Sequence, residues 1–178
     1  YERLTILSGG QVGIGTSAPT SKALVAKLTV AGSISAQGYC SAEANTIFGT
    51  NALNSSTGGQ NTAIGLQAML ANTSGYQNVA VGEAALTSNT EGIRNTAVGC
   101  GAAACTSTGH CNVAVGYEAL KFNCTTRSNV AVGSHSLYSS VIGENVAVGS
   151  CASCSNTTAT QNTALGHAAL CSNTIGNC

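Results

Sequence analysis

A five-residue word recurs along this chain at a nearly constant interval, and that interval limits the fold more than any other feature. The word starts at Asn45 (NTIFG), Asn61 (NTAIG), Asn78 (NVAVG), Asn95 (NTAVG), Asn112 (NVAVG), Asn129 (NVAVG), Asn145 (NVAVG) and Asn162 (NTALG), in steps of 16 or 17 residues. After two intervening residues comes a small residue, usually followed by Leu, as in Ala52-Leu53, Ala85-Leu86, Ala119-Leu120 and Ser136-Leu137. A turn-like run of Ser, Asn, Thr and Gly then leads into the next word. The period is too short for two helices and a turn, and the Asn, Gly and Thr content opposes helix. Disorder would explain the composition but not the constant phase of Val and Leu.

The expected unit is therefore a flattened β-coil. At about 3.3 Å per residue, 17 residues span roughly 56 Å, enough for two short strands and two turns. Coils stacked about 4.8 Å apart would give a rod of about 38 Å. No coil can bury an apolar face alone, so stability must come from stacking. The asparagines that open the eight words are expected to form a ladder, each amide bonding to the coils above and below. In a strand, the second and fourth positions (Val, Thr, Ile, Leu, Phe) face one way and the third and fifth (mostly Ala, always Gly) the other. The branched set is expected inside the coil. The bare set, with Gly49, Gly65, Gly82, Gly99, Gly116, Gly133, Gly149 and Gly166, is expected to let a neighbouring chain pack closely.

Residues 1–44 lack the word and read as a β connector or cap, with strands expected at Lys27–Val30 and Ser33–Ala36. Residues 45–178 form the repeat array. Gly176-Asn177-Cys178 matches the residues that precede a word, so the array is expected to continue past this point. Only 7 % of residues are charged and the formal net charge is zero. Such a surface offers nothing to neutralise phosphates or anionic lipid, so nucleic acid is a poor partner. No apolar stretch is long enough for a membrane span.

The nine cysteines suggest an oxidising compartment, and their odd number leaves at least one unpaired within the chain. Cys154 and Cys171 share a phase in consecutive coils and are the candidate disulfide. Cys105 and Cys124 are out of phase by two positions. Four N-x-S/T sequons, at Asn54, Asn72, Asn123 and Asn156, fall in the expected turns, where a glycan could sit. Cys151-Ala-Ser-Cys154 has redox or zinc spacing but no second pair. Cys100, Cys105, His110 and Cys111 do not match a metal finger, and a His135–Cys151 contact lacks an orienting third group. The acidic residues are scattered and Asp is absent, so paired-carboxylate hydrolysis and Asp-rich calcium sites have no anchor. No catalytic residue, metal or cofactor is expected.

The NxAVGxxAL array resembles repeats of phage and giant-virus tail-fibre proteins and is similar to the head repeats of trimeric autotransporter adhesins. The segment from Gln11 to Gly38, with VGIGT, Pro19 and KLTVAGSISAQG, is similar to a connector that recurs in viral tail fibres. The resemblance implies an all-β, left-handed parallel β-roll in a homotrimer, and a structural subunit of an extracellular, cell-surface or virion-surface fibre. Such a fibre would attach to a glycan or protein receptor, or continue head to tail into a filament. The cysteines and sequons leave open a glycosylated, disulfide-bonded architectural filament of a eukaryotic cell surface. A glycan-degrading tail spike would need a carboxylate cluster that this chain lacks.

Overall fold

A computed structural model of the chain describes residues 3–6, 12–15, 45–54, 56–141 and 143–175. The chain divides into two compact units, 1–37 and 38–178. In the first, β1 (Arg3–Ile6) and β2 (Val12–Gly15) form an antiparallel pair, with Arg3 opposite Gly15. The strands expected at Lys27–Val30 and Ser33–Ala36 lie outside the described residues.

The second unit is a parallel β-solenoid. Its strands are β3 (Thr46–Phe48), β4 (Thr62–Ile64), β5 (Val79–Val81), β6 (Thr96–Val98), β7 (Val113–Val115), β8 (Val130–Val132), β9 (Val146–Val148) and β10 (Thr163–Leu165). They lie in sequence order in one sheet. Equivalent residues pair throughout, with Val79 opposite Thr96 and Val113 opposite Val130. The described residues contain no helix. The Asn-to-Asn period in the sequence is thus the strand register of the sheet.

Each coil contributes one three-residue strand, where the sequence suggested two. The half containing Ala-Leu instead runs through successive turns. Its backbone visits the left-handed region at the seventh and ninth positions of the repeat, as at Ala84 (φ 54°) and Leu86 (φ 51°), and again just before the next word, as at Arg94 (φ 56°). A side chain in that region costs about 1–2 kcal/mol. Stacking offsets the cost. The Ala84 N–H donates back to the carbonyl of Leu66 at 2.9 Å, and the Leu86 N–H donates onward to that of Ala102 at 3.0 Å. Peptide groups on the turning side therefore still bond along the stack. A coil without neighbours would keep the strain and lose the bonds, so the coils stand or fall together.

The inner and outer faces are the reverse of the sequence expectation. The third-position alanines Ala80, Ala97, Ala114, Ala131 and Ala147 are fully buried. The flanking Val and Thr side chains are only half-buried and point outward. Space decides the outcome. Opposite the strand, the turning half already sends in an eighth-position Ala and a ninth-position Leu or Met. Met69, Leu86, Leu120 and Leu137 are the largest apolar side chains enclosed. A methyl group fills what remains of so thin a cross-section.

The word-final glycines are likewise turned toward their own chain. Gly116 has φ of 134°, and a Cβ there would lie 2.6 Å from the carbonyl carbon of Gly133 in the next coil. The close approach runs along the stack, to the next coil of the same chain. Gly166 has a similar φ of 120° but nothing within 4 Å of its Cβ position. Gly116→Ala is expected to lower stability by about 3 kcal/mol or more, from overpacking added to backbone strain. Gly166→Ala should cost only the strain, about 1–3 kcal/mol, with no overpacking added. Thermal melts of the two variants check this difference, and equal losses would contradict the steric account.

Candidate functional site

The chemistry of the array is concentrated in two internal amide columns. In the first, the backbone N–H of each word-opening asparagine donates to the Oδ1 of the preceding one. This bond joins Asn61 to Asn45, Asn78 to Asn61, Asn95 to Asn78, Asn112 to Asn95, Asn129 to Asn112, Asn145 to Asn129 and Asn162 to Asn145, at 2.8–3.1 Å. The Nδ2 donates to a backbone carbonyl in the turn before the next word: from Asn61 to Gly75 at 2.9 Å, from Asn78 to Gly92 at 2.7 Å, from Asn95 to Gly109 at 2.7 Å. Each buried amide so accepts from the next word and donates to the turn that leads into it. The last member, Asn162, is 1 % exposed, and its Oδ1 has no partner among the described residues.

A second column lies at the twelfth position: Ser56, Asn72, Asn89, Thr106, Asn123, Ser140, Asn156 and Asn173. Asn89 Nδ2 donates to Asn72 Oδ1 at 2.6 Å and Asn72 Nδ2 to Ser56 Oγ at 2.7 Å. The asparagines also close their own turns, as when Asn72 Nδ2 donates to the Gly75 carbonyl at 3.0 Å. The column was hidden by its mixed composition, although every member carries a short side chain with an oxygen. It breaks at Thr106, whose hydroxyl donates to the Asn123 carbonyl at 2.9 Å. Asn89 Oδ1 is left buried with no partner among the described residues.

This column corrects the glycan assignment. Asn72 and Asn123 are fully buried and Asn156 is 1 % exposed, so their amides face the interior rather than an open turn. A glycan on any of them would occupy the space of the next coil. Asn54 is exposed.

Cys100, Cys105, Cys111, Cys124, Cys151, Cys154 and Cys171 are free thiols. Cys40 and Cys178 lie outside the described residues. The Cys154–Cys171 disulfide is absent: the Cys154 thiol instead lies 3.7 Å from the Cys171 carbonyl oxygen. Side chains in register on stacked coils run parallel, about 4.8 Å apart, whereas a disulfide needs Cβ atoms about 3.8 Å apart. The out-of-phase Cys105 and Cys124 do sense one another. Burial raises the Cys105 pKa, and the Cys124 sulfur raises it further. Among the described residues, no three His, Cys, Asp or Glu side chains form a group that could hold a metal ion.

His135 turns from Cys151 toward an aromatic cluster on the outer turns. Its ring lies 5.2 Å from both Tyr117 and Tyr138, and Phe122 meets Tyr138 edge-on at 5.0 Å. Lys121 pairs with Glu118 at 2.7 Å. The ammonium of Lys121 holds the Glu118 carboxyl below its ordinary pKa.

Two outcomes test the columns. Thr106→Asn would supply Asn89 Oδ1 with a donor and is expected to stabilise the roll by about 1 kcal/mol, read as a rise in Tm. In a glycosylating host, Asn54 should be the sole acceptor among the four sequons. Peptide mass mapping that finds a glycan on Asn72, Asn123 or Asn156 of folded protein would contradict the burial. No family model, curated protein or solved structure matches the chain.

Proposed function

We propose that the chain is a structural subunit of an extracellular or virion-surface fibre, built as a homotrimer and used for surface attachment. One observation carries this reading. The outer face of the sheet is a continuous apolar stripe, with Phe48, Ile64, Val81, Val98, Val115, Val132, Val148 and Leu165 in one column. A parallel column holds Thr46, Thr62, Val79, Thr96, Val113, Val130, Val146 and Thr163. Phe48 is 76 % exposed and Leu165 77 %. Soluble chains seldom leave so long an apolar strip in water. A straight stripe parallel to the stack suits association side by side with copies of itself, and three copies could enclose all three stripes.

The double substitution Val113→Lys with Val115→Lys is expected to shift the assembly from three chains to one, read by light scattering, while the circular dichroism of the roll persists. Negative-stain images should show a slender rod for the unmodified protein. A wild-type monomer in solution, or a trimer indifferent to both lysines, would remove this reading.

A further inference from the structure

The coil that opens at Asn129 has 16 residues, while those opening at Asn95, Asn112 and Asn145 have 17. The missing residue falls in the turn before the next word. There the short coil carries Gly143, at which a Cβ would lie 2.5 Å from the Arg127 carbonyl oxygen, so its turn packs closely on the coil before it. A notch of about 650 Å³ lies at this turn, lined by Gly143 and by the coils on either side.

We propose that this notch is a binding site for a saccharide chain. The inference rests on the attachment reading above and names the ligand class. The volume falls within the ~300–1,000 Å³ usual for ligand sites. The walls carry groups suited to a hydroxyl-rich ligand. Arg127 supplies a guanidinium that makes no hydrogen bond or ion pair among the described residues. Glu144 supplies a carboxylate acceptor, held in place by Gln161 Nε2 at 3.2 Å. His110 accepts the Ile93 N–H at Nδ1, 3.1 Å away, so its Nε2 carries the proton of the neutral ring and can donate. Thr125 adds a hydroxyl at the lip. Apart from the His110 imidazole, the described lining residues carry no aromatic or large aliphatic side chain, which disfavours an apolar small molecule or a protein anchor. The lining spans four coils, about 14 Å along the stack at the strand spacing. That shape favours an extended chain of sugar units over a compact ligand.

The test uses the assembled protein on an array of immobilised neutral and acidic oligosaccharides. Retention of at least one is expected, with a loss of about tenfold or more in each of Arg127→Ala, Glu144→Ala and the space-filling Thr125→Trp. Unchanged melting and particle mass would show that all three variants still fold and assemble. Retention undiminished in the three variants would overturn the notch as the site. A rod-shaped trimer that retains no saccharide would overturn it too, while leaving the fibre reading intact. The fibre reading is judged separately, by particle mass and shape.

Discussion

The structure depends on hydrogen bonds that run along one axis while the chain turns around it. Strand residues make them through the parallel ladder. In the turning half, N–H groups that bond to a neighbouring coil, as at Ala84, Leu86 and Ser88, alternate with ones that close turns within their own coil, as at Ala85 and Thr87. Where the chain swings back into the strand, the backbone cannot reach and the word-opening asparagine bridges instead. A carboxamide suits that position because it donates and accepts at once and carries no charge. A column of carboxylates in the same place would repel itself in a medium of low dielectric.

Such a design makes the core unusually slight. At most one Leu-sized side chain and a few methyl groups per coil release little hydrophobic free energy, so hydrogen bonding and repetition carry the fold. Cooperativity follows, because the left-handed residues are offset by bonds to neighbouring coils. The outward positions are then free of packing duty and can vary. Tyr117, Phe122, His135 and Tyr138 collect on the turn face of two coils, the Val columns form the apolar stripe, and one shortened coil leaves the notch beside Arg127. Function on such a scaffold is a matter of what decorates the columns and where the register skips.

Much of the architecture could be read from the chain. The spacing of the asparagines is the strand register, and the word-opening amides form a column because nothing but in-register stacking would preserve their phase. The second column is not legible in the sequence because Asn, Thr and Ser are mixed in it, and because an N-x-S/T pattern reads first as a glycan signal. The same mixture misled the sequon assignment, since a short polar residue in a turn can point inward when the next coil offers it a partner.

Sequence alone determined the period, the all-β class and the need for stacking, because these follow from local preference and from recurrence at a constant interval. Only the tertiary structure decided which face is inside. Alternation separates Val from Ala but cannot say which set the coil has room for, and the answer depends on the width left by the Leu and the asparagines across the coil. It likewise decided that the glycines meet their own chain and that the in-phase cysteines stay apart. Both depend on the direction of side chains in space, a property that spacing along the chain does not contain.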